Sequence, residues 1–471
     1  MAQPSNPEHV LLNGQTLEGG GQLVRIAIGL SALTGRPVSI ENIRANRPGK
    51  TGLKRSHATA VKLLADVSGS QVTGGQVGSQ FMSFVPRTER MNGPLVDLTQ
   101  TVVQSKYDIN ISTAGAICLV FQALYPYMLY AGSQAPVPFI RVKITGGTNP
   151  SKSPSFDYAS QVMAPNFAKL GLPPLEIILH ERGWSSGPVC LGAMTFLIHP
   201  LGSKDGQGDG PSIERSNVEG RTSTANKFPK IDLMAHENGK ITQIDLTVLA
   251  PDYVNVDTDG LCKKCTLRDY ITQTTRQKLR SAMRKIHPST FALQTPSRES
   301  SNDDAEPELP VPFRIHTSEA TYHHSHVYIL LVAHTSSGFR IGHDILGSLG
   351  SHKKQNGQKG RNKQRLTKDD RHAERDVFSA ATELARGCVE GFMQEISNVN
   401  PDESDATTPT TKTCLDQHMR DQIVVFEALG EACHTGTISE VANTREDGRD
   451  WTLHTRTAQW VCRQVLGGIN V

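Results

Sequence analysis

Leu23, Ile26, Ala27, Leu30 and Leu33 recur at the three- and four-residue spacing of one helix face, and Gly35 follows where a C-cap belongs. Val38 and Ile40 then alternate, which predicts a short strand over Val38–Ile43. A basic, turn-rich loop comes next, RANRPGKTGLKR at residues 44–55. Ser56 is placed to cap a second helix that turns Val61, Leu64 and Ala65 inward and stops at Gly69.

The same succession recurs further on. Ile140–Ile144 alternates like a strand, Gly146 and Gly147 open a polar loop, a helix is predicted over 157–170, and Leu175–Leu179 reads as a strand. Strand, polar loop, helix and strand at two places predict internal duplication, in which repeated units build sheet-and-helix layers. Beyond a polar run at 202–227, Ile241–Leu249 and Tyr328–Ala333 read as strands, and 267–285 and 372–394 as helices. Polar stretches near 295–310, 348–371 and 398–413 separate them, and helices over Leu415–Leu429 and Thr455–Leu466 close the chain. The expected organisation is α+β: a repeated core over 1–235, an insert domain with polar loops over 236–397, and a return to the core over 398–471.

Composition changes this picture little. With 471 residues the chain exceeds one compact core, and 37% hydrophobic content fits an ordinary core diluted by polar insertions. A net charge of +3 assigns any nucleic-acid affinity to local clusters rather than a global field. Neither a secretory signal nor an apolar run long enough to span a membrane is visible, and the eight cysteines show no disulfide-like framework. The expectation is a soluble, intracellular, reduced protein.

Several groups could carry chemistry. Glu18-Gly19-Gly20-Gly21-Gln22 opens the first helix, where backbone amides and the helix dipole favour a phosphate; a flexible turn with a capping carboxylate is the other reading. Arg25, Arg44, Arg47, Lys50, Lys54 and Arg55 crowd the same region, a density that suits a polyphosphate or a nucleic-acid end, or else a solvated basic face. Cys262-Lys-Lys-Cys265 has zinc-like or redox-like spacing, but a structural zinc site would want a second pair nearby and none is visible. The basic run His352–Arg371 reads as a solvated loop, with non-specific RNA attraction or nuclear import as further readings. His454 lies immediately before the last predicted helix, and Asp421 and Gln422 lie inside the one before it. An imidazole is nucleophilic when neutral, and a carboxylate can fix its tautomer, although spacing alone does not pair these two residues.

In this order the pieces resemble the RNA 3'-terminal phosphate cyclase family. The resemblance rests on LNGQTLEGGGQLVRIAIGLSALTGRPVSIENIRANR at 12–47 and GLKRSHATAVKLLADVSGSQVTGGQVGSQ at 52–80. It continues through ISTAGAICLVFQALYP at 111–126 and ITGGTNPSKSPSFDY at 144–158, and returns with HMRDQIVVFEALG at 418–430 and HTRTAQWVCRQVL at 454–466. It covers the first ~200 and last ~60 residues well and the middle loosely. Ser56 stands where the family commonly has Gln, and extra residues separate Asp421 from His454.

The resemblance implies three repeated units, each of two helices on a four-stranded sheet, plus a smaller inserted α/β domain. It implies ATP and a divalent metal, Mg2+ or Mn2+, as cofactors and an RNA with a 3'-phosphate end as substrate. It makes His454 the nucleophile that accepts AMP, and Asp421 the acid of an Asp-Gln pair completed by Gln422. Glu18 corresponds to a residue near the phosphates and the metal, Arg25, Arg44 and Arg47 to phosphate contacts, and His57 and Gln122 to further active-site positions. The implied compartment is the nucleus, with the cytoplasm as the alternative. A catalytically inactive, cyclase-like scaffold of ribosomal RNA processing is the competing reading; that branch lacks the histidine, so His454 favours the enzyme. An enolpyruvyl transferase, built on related repeats, needs no such histidine.

Overall fold

The computed structural model describes residues 9–47, 49–87, 94–99, 101–135, 137–202, 226–253, 265–292, 309–349, 368–399, 414–435 and 452–467. Cys262 and most of the basic run at 352–371 therefore lie outside the described residues, and Cys265 is buried.

The first unit runs β1 (Val10–Asn13), α1 (Gly21–Thr34), β2 (Val38–Glu41), α2 (Arg55–Ser68), β3 (Gln71–Thr73) and β4 (Met82–Val85). Its sheet is ordered β1-β2-β4-β3, with β1 parallel to β2 and the remaining pairs antiparallel. The apolar stripe of α1 is buried throughout, and the helix ends at Gly35 with φ 71°, a left-handed conformation that a side chain would disfavour. Ser56 is not the cap of α2: Lys54 occupies that position, and the His57 Nδ1 accepts the Lys54 amide at 3.3 Å.

The second unit repeats this connectivity. It comprises β5 (Lys106–Asn110), α3 (Ile117–Ser133), β6 (Ile140–Gly146), a helical stretch, β7 (Leu175–Glu181) and β8 (Gly192–Ile198), ordered β5-β6-β8-β7. The stretch is α4 (Phe156–Tyr158) and α5 (Ala164–Lys169) joined by a π-helical turn, Ala159–Met163. Identical strand orders and pairing senses in both units bear out the duplication.

The third sheet is built from β9 (Ile241–Pro251), β10 (Phe313–Thr321), β11 (Val327–Thr335) and β12 (Arg340–Gly347), with α6 (Leu267–Met283) between β9 and β10 and α7 (Lys368–Val399) after β12. Its order is β10-β9-β11-β12, so the first strand, not the second, takes an inner position. Strand β11 is buried on both faces: Val327, Ile329, Leu331 and Ala333 join one apolar cluster with α6 and α7, whereas Tyr328, Leu330 and Val332 join the large core of the other two sheets. That core also takes α8 (Gln417–Thr435) and α9 (Leu453–Leu466), which pack on each other and, through α9, on α1. Arg36 fastens the join by donating to the carbonyls of Val465 (2.7 Å) and Gly467 (2.8 Å) at the end of α9.

Candidate active site

Docking α9 against α1 brings residues more than 400 positions apart into contact. The Glu18 amide donates to the Thr457 hydroxyl at 3.2 Å, which seats the second turn of α9 beside the Gly-rich start of α1. His454 lies in the first turn of α9 rather than before it, one turn from that anchor. Its Nδ1 is 2.7 Å from Glu18 Oε2 and 3.1 Å from Gln22 Oε1. Gln22 Oε1 accepts at Nδ1 and the Glu18 carboxylate lies beside it, which holds the proton there and leaves Nε2 with its lone pair.

Glu18 is buried and forms an ion pair with Arg47. Gly20 caps α1 without any side-chain hydrogen bond, so the first amides of the helix are left for another partner. Arg25 lies one turn further in. It is only 9% exposed, lines the cavity and, among the described residues, has no carboxylate partner. Burial lowers its pKa to about 10, which still leaves it charged at neutral pH.

The cavity has a volume of about 610 Å³ and is lined by Arg25, Arg47, Gln122, Asp421, Gln422 and His454 among others, a size suited to a nucleotide-sized ligand. Gln122 on α3 donates to Gln422 on α8, joining two walls. Asp421 does not bond to His454. Its Oδ1 accepts from the hydroxyls of Thr452, at 3.2 Å, and Thr455. Thr452 caps α9 by accepting the Thr455 amide at 2.9 Å, so Asp421 secures the helix start that carries the imidazole. Burial lowers the pKa of His454, Arg47 and Arg25 act in the same sense, and Asp421 opposes them. Burial raises the pKa of Asp421 against the Thr455 hydroxyl, His454 and the Thr452 hydroxyl.

Three expected residues sit apart from the cavity lining: Glu18, which meets His454 from a buried position, Arg44 and His57. Arg44, in a left-handed conformation at φ 60°, donates to the carbonyls of Lys50 (2.7 Å) and Gly52 (3.5 Å), which folds the basic loop onto itself. His57 is buried behind the start of α1, where burial and then Arg25, Arg44 and Lys54 depress its pKa to about 3 and keep it neutral. Residues that the sequence reading missed also line the cavity: Gln22 beside the imidazole, and Lys152, Tyr158, Tyr328, Asp344 and His418 elsewhere on the wall. Gln22 was visible beside the glycines, and the Thr-X-X-Thr spacing of 452–455 is a cap signal; Asp344 and Tyr328 carried no local signal.

Residues 16–469 match the family model described as RNA 3'-terminal phosphate cyclase. The chain belongs to that family. The cyclase relatives include a protein of Koribacter versatilis (strain Ellin345), 35% identical over 198 residues, covering 42% of this chain and 50% of the relative. One from Pyrococcus furiosus is 40% identical over 174 residues, 37% of this chain and 45% of the relative. One from Salmonella typhimurium is 32% identical over 197 residues, 42% of this chain and 52% of the relative. Each of the three is named RNA 3'-terminal phosphate cyclase, and the chain spans about half the length of the curated relatives it matches. Among the described residues no helix is long and apolar enough to cross a membrane.

Proposed function

We propose that this chain uses ATP to convert RNA 3'-phosphate ends into 2',3'-cyclic phosphates. The observation that carries the reading is Arg25, a buried guanidinium that lines the same cavity as His454 and has no carboxylate partner among the described residues. A buried cation without a counter-ion is costly unless an anion arrives, and a phosphate is the anion such a site holds.

In the first step Nε2 of His454 attacks the α-phosphorus of ATP, a P–N bond forms, and the bond to the β-phosphate oxygen breaks with release of pyrophosphate. Gln22 holds the Nδ1 proton, and the adjacent Glu18 carboxylate stabilises the positive charge that grows on the ring. Arg25 and Arg47 oppose the negative charge that builds on the phosphoryl oxygens. AMP then passes to an oxygen of the RNA 3'-phosphate, which frees the imidazole. The adjacent 2'-hydroxyl attacks that phosphorus, loses its proton and expels AMP, closing the ring.

Among the described residues no group of three or more His, Cys, Asp or Glu could hold a metal by itself. Glu18 is a hard oxygen donor of the kind magnesium or manganese takes with phosphate oxygens and water, and it is the residue that would hold the ion. When bound, the ion supplies charge neutralisation at the phosphates.

Incubation with α-32P-labelled ATP should attach label to the wild-type protein, acid-labile and alkali-stable as a P–N bond requires, and His454→Ala should lose it entirely. With a 3'-phosphorylated RNA, the wild type should form cyclic ends and the variant should fall by roughly 10⁴-fold or more. Absence of label on the wild type with either metal, together with uncyclised RNA, would replace this reading with the scaffold one.

A further inference from the structure

The loop Pro150–Pro154 walls the cavity, and Lys152 stands at its tip. Both ends of the loop are fixed. Before it, the amides of Thr148 and Asn149 donate to the Gly183 carbonyl at 3.0 and 2.9 Å, and the Thr148 hydroxyl accepts the Gly183 amide at 3.0 Å. After it, the Ser155 hydroxyl accepts the Tyr158 amide at 3.0 Å and lies 2.6 Å from the Tyr328 hydroxyl. In between, the Ser151 amide donates to the Ser185 hydroxyl at 3.3 Å.

These anchors hold Lys152 at φ 61°, a left-handed conformation that a residue with a side chain rarely adopts. The lysine is exposed, and no carboxylate pairs with it among the described residues. Burial, then Arg44, Arg47 and Lys152, lower the pKa of Lys54 at the exposed start of α2, so Lys152 lies within electrostatic reach of the basic loop. Arg25 and Arg47 already serve the phosphate that reacts beside His454. Lys152 adds an exposed positive charge to the wall of the same cavity, with Lys54 within its electrostatic reach.

We propose that Lys152, presented by the pinned loop and assisted by Lys54, binds the phosphodiester that precedes the terminal phosphate of the RNA, so that the site reads at least two nucleotides. The inference rests on the assignment of a 3'-phosphorylated RNA as substrate. Lys152 acts on position and affinity; the bonds that form and break lie at His454 and the 3' end.

Steady-state cyclisation of a 3'-phosphorylated dinucleotide and of a nucleoside 3'-monophosphate, at saturating ATP, separates the contacts. Lys152→Ala should raise KM for the dinucleotide roughly tenfold, with kcat within about twofold, and raise it much less for the mononucleotide. Lys152→Arg should recover most of the loss. In titrations with a 3'-phosphorylated oligonucleotide, Lys152→Ala should flatten the slope of log K against log salt by about 0.7. Equal losses on both substrates, a raised KM for ATP, or no loss at all would overturn the inference while leaving the functional reading in place. A wild-type protein that does not distinguish 3'-phosphate from 3'-hydroxyl ends would overturn both.

Discussion

Burial gives the arginines of the first unit different work. Arg25 is inside a helix with no counter-ion, Arg47 is shared between Glu18 and the cavity, and Arg44 is spent on two backbone carbonyls. Arg47→Ala is therefore expected to lower kcat/KM by roughly 10- to 100-fold, the scale of a lost charge-assisted contact, and to lower the melting temperature as well because buried Glu18 loses its cation. Arg44→Ala should act through the loop instead, with a stability loss of about 1–2 kcal/mol, seen as a lower melting temperature, accompanying any loss of activity. Parallel kinetics and thermal scans check this: a kinetic loss in Arg44→Ala as large as in Arg47→Ala, with the melting of Arg44→Ala unchanged, would make Arg44 a direct phosphate contact.

Two helix starts make the site. The start of α9 is fixed by Thr452, Thr455 and Asp421, which places His454, and the start of α1 is fixed against α2 through His57. A Cβ on Gly21 would meet His57 Nε2 at 2.1 Å, so the glycine is required by the neighbouring ring and not only by a phosphate. Gly21→Ala should destabilise the protein by about 1–3 kcal/mol, and adding His57→Ala should restore part of that loss. Denaturant unfolding of the single and double variants measures the recovery; strictly additive losses would mean that the ring moves aside without cost. The same contact explains why His57, expected among the active-site residues, stands behind the site.

The seam between the third sheet and the core is held by buried acids. Asp416, just before α8, accepts from the Tyr158 hydroxyl (2.5 Å), the Met419 amide (2.8 Å) and the Gly342 amide (2.8 Å), and so ties three elements together. Glu395 on α7 accepts the Gln417 amide at 3.1 Å, and burial, then Asp416, push its pKa up to about 7. A carboxyl raised from its usual 4.5 binds more protons folded than unfolded between those values, so its contribution to stability declines as pH rises through this window. Glu395→Gln keeps an acceptor without the charge. It should be more stable than the wild type at pH 8, by about 2 kcal/mol, and indistinguishable from it near pH 4. Thermal unfolding across that range checks the sign, and a gain at low pH would refute it.

The sequence by itself determined the helices that carry one apolar face, the duplication of the first two units, and the residue types near the first helix start. Each is a property of local spacing, and the apolar stripe of α1 and the two terminal helices appear where periodicity puts them. Short strands such as β3, with three residues, are too brief to show a period, and the π turn inside 159–163 left no mark on the apolar pattern. Tertiary structure alone decided which groups meet. Glu18, not Asp421, touches His454; Arg44 turns to its own loop; and Lys152 reaches the cavity from another unit. Pairing between segments hundreds of residues apart depends on how helices and sheets pack, and packing is a sum over many side chains that no local window contains.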